Sequence, residues 1–308
     1  MLRKLLIALS QNERAALAIS TWPLAQRLVR RFVAGERLEQ ALEVVRALNE
    51  GGILSTLDYL GEATSRPEDA LRAGEEYVRA LSVIRDAGVR STVSLKPTQL
   101  GLAIDAALCS DNVERLLKQA KTYGNAVCID MEGSAYTQAT LDLFEALRAR
   151  HDNVSVVLQA NMRRSAADLE RLIAIGASVR LVKGAYLERA DVAFARKREV
   201  DEAFTRLCQR LLSPEARDRG VFTAIASHDE RLLRRACEHI EAHHVPTPCY
   251  EFQLLYGVRQ DLQRRLAQAG HPVRVYVSYG TAWYPYFMRR LAERPANVLF
   301  LLKHVFRA

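Results

Sequence analysis

A chain of 308 residues, 49% of them apolar, can bury a large core, and its length fits either one α/β barrel of roughly 250 residues or two ordinary domains. Charged residues make up 26%, ordinary for a soluble protein, and no apolar run approaches the ~20 residues of a membrane span. The net charge of +8 is compatible with nucleic acid, an anionic membrane surface or an anionic ligand, but the basic residues are dispersed and often beside acids, as in Arg196-Lys197-Arg198-Glu199, which reads as a solvated surface.

Residues 1–10 carry basic residues and an apolar patch shorter than a signal peptide, with no clear cleavage site, so a cytoplasmic protein is expected. Residues 1–50 read as helices. Apolar positions at Leu38, Ala41, Leu42, Val45 and Leu48 mark an amphipathic helix, which Gly51-Gly52 ends. A short apolar run then recurs eight times, at 53–57, 92–95, 126–129, 154–158, 179–182, 221–226, 249–252 and 273–277. Helical patterns at 67–87, 112–123, 137–150, 166–175, 200–212 and 230–242 separate them. Strand followed by helix, repeated, means a parallel sheet covered by helices, and eight repeats over 51–308 predict a closed (βα)8 TIM barrel with extra N-terminal helices in 1–50. The alternative is an open doubly wound sheet, but no GxGxxG follows the first strand. Five cysteines (Cys109, Cys128, Cys208, Cys237, Cys249) form neither a metal signature nor a disulfide framework, and Cys128 and Cys249 are expected in the core.

A barrel requires its site at the C-terminal ends of the strands. The residues ending the eight runs are Asp58, Lys96, Asp130, Gln159, Lys183, His228, Gln253 and Tyr276, all polar or polar-tipped, which predicts a charged pocket. Asp130 is the natural partner of Lys96. Arg180 and Lys183 share one strand with opposite orientations, an expensive arrangement unless anions pair with them. Gly184 allows close approach of a ligand to the backbone. Arg289 and Arg290, just past the last strand on a helix over the barrel mouth, suit a carboxylate, although Arg289 and Glu293 are also spaced as a surface pair. The residues alone leave open a Schiff-base or phosphate-binding lyase, and a basic barrel that binds nucleic acid or membrane.

The landmarks Asp58-Tyr-Leu-Gly-Glu62, Ser94-Leu-Lys-Pro-Thr-Gln-Leu-Gly101, Asp130-Met-Glu132, Val157-Leu-Gln159, Arg180-Leu-Val-Lys-Gly-Ala-Tyr186, Ala226-Ser-His-Asp229, Glu251-Phe-Gln253 and Tyr276 through Arg289-Arg-Leu-Ala-Glu293 resemble, in order, the proline dehydrogenase family, over residues 34–308. The resemblance implies FAD on a distorted barrel and oxidation of L-proline to Δ1-pyrroline-5-carboxylate. It implies hydride transfer to flavin N5 and electrons passing to a membrane quinone, with peripheral membrane association, handover of product to a pyrroline-5-carboxylate dehydrogenase and no nucleic-acid partner. It assigns the substrate carboxylate to Lys96, Arg289 and Arg290, and the ring to Ala185, Leu255 and Tyr276, the last at a position whose bulk favours proline over hydroxyproline. Asp130 would buttress Lys96, and Arg180 would act beside the flavin. Flavin contacts would be Met131, Gln159, Arg180, Lys183, Gly184, Ala185, Ser227 and His228, and Glu62 would gate the site by pairing with Arg289. The sequence departs from the family at Ser227 (usually Thr), Ser278 (commonly Pro), Ala282 (often acidic) and Gly133-Ser-Ala (usually Asp/Ser-Pro).

Overall fold

The structure, a computed structural model, describes residues 29–61 and 64–293, the last five of these by backbone alone. Eight parallel strands close into a barrel in sequence order, β1 (Leu54–Tyr59), β2 (Ser91–Leu95), β3 (Val127–Ile129), β4 (Val154–Gln159), β5 (Ser178–Val182), β6 (Thr223–Ala226), β7 (Tyr250–Leu255) and β8 (Val273–Tyr279). The ring is shut by β1 pairing with β8, with Thr56 opposite Tyr276 and Asp58 opposite Ser278. The helices in chain order are α1 (Leu38–Glu50), α2 (Pro67–Asp86), α3 (Ala106–Thr122), α4 (Ser134–Arg148), α5 (Ser165–Ala174), α6 (Lys197–Leu211), α7 (Pro214–Asp218), α8 (Glu230–Ala242), α9 (Gln260–Gln268) and α10 (Trp283–Glu293).

Strand alternation explains both the core and the pocket. In β8, Val273, Val275, Val277 and Tyr279 are buried beneath the helices, while Arg274, Tyr276 and Ser278 bond to groups of the barrel interior. The outward-facing layer is continuous and apolar, as with Val93, Leu95, Ile129, Val156, Leu181, Phe252 and Val275, each 0% exposed. Burying each such side chain contributes about 1.5–3 kcal/mol. The inward-facing layer is largely polar, with Asp130, Gln159, Arg180, Gln253 and Tyr276 beside Val157 and Val182, where a barrel interior is usually packed with branched aliphatics. Below the mouth, Arg274 donates to Glu251 Oε1 (2.7 Å) and the Ser55 carbonyl (2.8 Å), so this interior charge is paired.

All eight expected runs are strands, with shifted ends. The run at 221–226 pairs only from Thr223, and the run at 249–252 becomes Tyr250–Leu255. Cys249 closes a short 3-10 turn and is half-buried, so it is not a core residue; Cys128 is buried. The helix expected at 112–123 starts at Ala106 because the Asp105 side chain accepts from the Leu108 N–H and caps it. The 5-residue α7 and the 9-residue α9 were not anticipated. α7 is barely a turn, and α9 buries only Leu262, Gln263 and Leu266, too few to show a period. Within 1–50, α1 is described and packs under β1 and β8; residues 1–28 lie outside the described residues. No helix among the described residues is long and apolar enough to cross a membrane.

Candidate active site

The C-terminal ends of the strands surround a cleft of 1590 Å³, above the ~300–1,000 Å³ of a drug-sized ligand site. Lys96, Asp130, Gln159, Arg180, Lys183, His228, Gln253 and Tyr276 line it together, so seven of the eight strand-end residues converge on the cleft, with Arg180 two positions inside the end of β5. The eighth, Asp58, lies beneath the lining, 0% exposed, and pairs with Lys96.

Asp130 is the hub. Its Oδ1 accepts from Arg180 Nη1 (2.8 Å) and Ser94 Oγ (2.7 Å), and its Oδ2 accepts from Tyr276 OH (2.6 Å) and Lys96 Nζ (3.4 Å). Burial would raise its carboxyl, but Lys96 and Arg180 outweigh that and hold it below the usual range. The nearer counter-ion of Lys96 is Asp58, whose Oδ1 accepts from Nζ at 2.8 Å. Asp130, expected as its partner, is the more distant of the two. Burial would weaken the Lys96 ammonium, yet these two carboxylates hold it above its ordinary value. Arg180 also sits over the Tyr276 ring, 5.3 Å from its centroid.

The anionic partners expected for the cations of this region are present. Lys96 pairs with Asp58 and Asp130, and Arg180 pairs with Asp130, so each cation has a carboxylate beside it. Lys183 is not buried with Arg180: at the cleft edge it pairs with Asp201 (2.5 Å) and Asp229 (3.5 Å).

The remaining expected residues take up distinct positions. Met131, Gly184, Ala185, Ser227 and Leu255 all line the cleft. Gln159 Nε2 donates to the Glu132 carbonyl (2.7 Å), and Ser227 Oγ accepts from the Asp229 N–H (3.1 Å). His228 Nε2 accepts from the Leu255 N–H (2.9 Å), which puts a ring proton on Nδ1. Gly184 has φ +103°, and a β-carbon there would stand 2.0 Å from Asn161 Oδ1. Glu62 lies outside the described residues, as do the side chains of Arg289 and Arg290; on the same helix, Tyr286 lines the cleft.

Sequence reading overlooked several contributors. Ser94, bonded to both Arg180 and Asp130, stands two positions before Lys96, so strand alternation alone puts the two on one face. Glu132 is buried, accepts from the Thr98 N–H and Oγ, and burial raises its carboxyl. Glu188 ties the β5–α6 loop to the start of α4, accepting from the Ser134 N–H (2.8 Å) and from its hydroxyl. No spacing signal marks either glutamate.

Three buried polar atoms at the cleft lack a hydrogen-bond partner among the described residues, namely Arg180 Nε, Asn161 Oδ1 and Gln253 Oε1. One unused donor and two unused acceptors at the cleft fit a large ring system edged with both carbonyl and N–H groups.

Fold and cleft together define a (βα)8-barrel enzyme whose site is set at the carboxyl ends of its strands. The profile of the proline dehydrogenase family matches residues 41–303. Proline dehydrogenase 1 of Bacillus subtilis subsp. natto is 39% identical over 307 residues, 99% of both chains. Proline dehydrogenase of Deinococcus radiodurans is 36% identical over 94% of this chain and 96% of its own length. Among solved structures, proline utilization A of Bradyrhizobium japonicum superposes with a TM-score of 0.72 at 25% identity, over 87% of this chain and 31% of that longer one. Proline utilization A of Bdellovibrio bacteriovorus, at TM-score 0.80 and 23% identity, shares the fold over 32% of its chain. The chain belongs to the proline dehydrogenase family.

Proposed function

We propose that this enzyme is FAD-dependent, oxidises L-proline to Δ1-pyrroline-5-carboxylate and passes the electrons to a membrane quinone. The observation that carries the reading is Lys96, an ammonium held charged by Asp58 and Asp130 at the floor of a cleft large enough for a dinucleotide and a small amino acid. The flavin, when bound, supplies an acceptor for a hydride at N5. Arg180, Gln159, Lys183, Gly184, Ala185, Ser227 and His228, with Met131, would hold it.

The chain's own task is then positioning more than acid–base chemistry. Lys96, with Arg289 and Arg290, takes the proline carboxylate. Ala185, Leu255 and Tyr276 enclose the ring. The carbon next to the ring nitrogen loses hydride, the nitrogen lone pair forms the C=N bond, and the N–H proton leaves to solvent. Asp130 is a poor base for that proton, because Lys96 and Arg180 hold it ionised. Its role is to keep Arg180 and Tyr276 in place. Glu62 would close the site by pairing with Arg289. Residues 1–50 would pack on a catalytic barrel of 51–308. Peripheral association with the inner face of the membrane and transfer of the product to a pyrroline-5-carboxylate dehydrogenase complete the proposal.

A Schiff-base lyase fits less well. It needs a lysine that readily loses its proton, and both strand-end lysines are ion-paired, Lys183 with Asp201 and Asp229 and Lys96 with Asp58 and Asp130. An anaerobic absorbance titration decides between them. Purified protein supplied with FAD should carry flavin bands that bleach on addition of L-proline; protein that takes up no flavin, or flavin that L-proline leaves unbleached, overturns the reading.

A further inference from the structure

Beyond helping to keep Lys96 charged, Asp58 has no part in the proposed reaction, yet it is the most completely buried carboxylate at the site, at 0% exposure. Its position follows from the register. Between β2 and β8, Asp58 lies opposite Ser94 on one side and Ser278 on the other. Oδ1 accepts from Lys96 Nζ at 2.8 Å and Oδ2 accepts from Ser278 Oγ at 3.2 Å. Asp130 already accepts from Ser94, Arg180 and Tyr276, and it lies further from Lys96, at 3.4 Å. The two carboxylates therefore divide the work. Asp130 serves Arg180 and Tyr276, and Asp58 serves the lysine.

We propose that Asp58 is the positioning residue for Lys96, fixing the ammonium at the spot where a substrate carboxylate is received, with Ser278 orienting Asp58 in turn. The proposal rests on the proline dehydrogenase reading and deepens it. A lysine stem has four rotatable bonds, and a cation that must meet an anion gains affinity from being held in advance. An exposed acid would serve poorly, since a lysine that swings to solvent binds nothing in the cleft. A buried one, anchored by a second hydrogen bond, gives the ammonium a single resting place, where its two longer bonds, to Asp130 Oδ2 and Tyr276 OH at 3.4 Å each, are the ones a substrate carboxylate can replace. In this chain serine occupies position 278 and supplies that second hydrogen bond.

The test is steady-state and anaerobic kinetics of the flavin-loaded full chain carrying Asp58→Asn, which keeps the shape and removes the charge. The expected result is a 10- to 100-fold rise in KM for L-proline, a change in kcat of less than about threefold, and an unchanged flavin spectrum. The KM should also acquire a new alkaline rise, because Lys96 would retain only Asp130 as a close counter-ion. Around it stand Tyr276 of β8, Arg180 of β5, Glu132 after β3 and Tyr186 of the β5–α6 loop. A purely structural role would lower the melting temperature or flavin content and leave KM per bound flavin and its pH dependence unmoved; that result overturns the proposal. Should Asp58→Asn fail to fold, Ser278→Ala is the second variant, expected to raise KM two- to fivefold, and an unchanged KM there overturns the proposal equally. If the unsubstituted enzyme does not oxidise L-proline, the functional reading fails; if it does so and both variants match it, only the role of Asp58 fails.

Discussion

The Tyr276 hydroxyl donates a 2.6 Å hydrogen bond to Asp130 Oδ2, so the aromatic wall of the cleft is fastened to the carboxylate that also holds Arg180. The wall and the charge network are one unit, and a change to the tyrosine acts on both. Tyr276→Phe should cost about 1 kcal/mol of stability for the lost hydrogen bond, measured by urea denaturation. Tyr276→Ser opens the wall, and the kcat/KM preference for proline over hydroxyproline should fall by at least about tenfold. An unaltered preference would remove Tyr276 from the substrate wall.

Asp130→Asn strips one counter-charge from a buried guanidinium and a buried ammonium together. Its expected cost is about 3–5 kcal/mol, since breaking a buried pair strands the remaining charge. Flavin content and the urea midpoint should fall together. A midpoint within about 0.5 M of the parent would show that Arg180 and Lys96 are not held by Asp130 in solution.

Acid should weaken the fold in two stages. Burial lowers the pKa of His271, whose Nδ1 lies 2.9 Å from Tyr250 OH, so the fold favours the neutral ring; that contribution is complete above the unfolded value of ~6.5 and lost as pH falls through the folded one. Asp130, although burial would raise it, is held low by Lys96 and Arg180. Its contribution is complete above ~4 and lost as pH falls below that. Melting temperature should therefore drop from pH 7 to 5 and again below 4. Burial, with His243 beside it, lowers His239 in the same sense, so His271→Gln should shrink the first stage without abolishing it and leave the second unchanged.

Glu188→Ala releases the β5–α6 loop from the first turn of α4, where a carboxylate is favoured by the unpaired N–H groups. The loss should be about 1–2 kcal/mol, with faster proteolysis within residues 183–196 and weaker flavin retention. Equal proteolysis rates in variant and parent would show that the loop is held elsewhere.

Gly184→Ala places a β-carbon in the left-handed region, at φ +103°, against the Asn161 side chain. The expected penalty is about 1–2 kcal/mol, and because Gly184 lines the cleft the variant should bind flavin less tightly. Loss of the Arg289 or Arg290 charge, as Arg289→Met or Arg290→Met, should raise the proline KM at least about tenfold. Unchanged kinetics in both would remove them from the carboxylate site.

The barrel is readable from the sequence because parallel strands covered by helices leave short apolar runs at regular intervals, and each of the eight runs is a strand. Strand ends are less readable. β6 begins two residues late: Phe222 gives the ladder only its carbonyl, accepting from the Val179 N–H (2.8 Å), and paired residues start at Thr223. The polar strand ends pointed to the right region, because a barrel orients all eight the same way. What they could not indicate is who pairs with whom. Lys96 lies 34 residues from Asp130 and 38 from Asp58 in sequence, and the choice between them depends on the stagger of β1 against β2. The glutamates at 132 and 188 were equally hidden, since each binds backbone and hydroxyl groups that any sequence carries.

Closure of the ring between β1 and β8 has a consequence for how the molecule comes into being. Tyr276 to Asp130, Ser278 to Asp58 and Arg274 to Ser55 span 146, 220 and 219 residues of chain. A growing polypeptide that has made its first seven strands holds Asp58 and Arg180 without the groups that complete their surroundings. Contacts so remote in sequence form late and slowly. The charge pairs among Lys96, Asp58, Asp130 and Arg180 are complete with the first five strands, but the Tyr276 wall and the Ser278 anchor wait for the last one, so the finished pocket depends on the final strand's arrival.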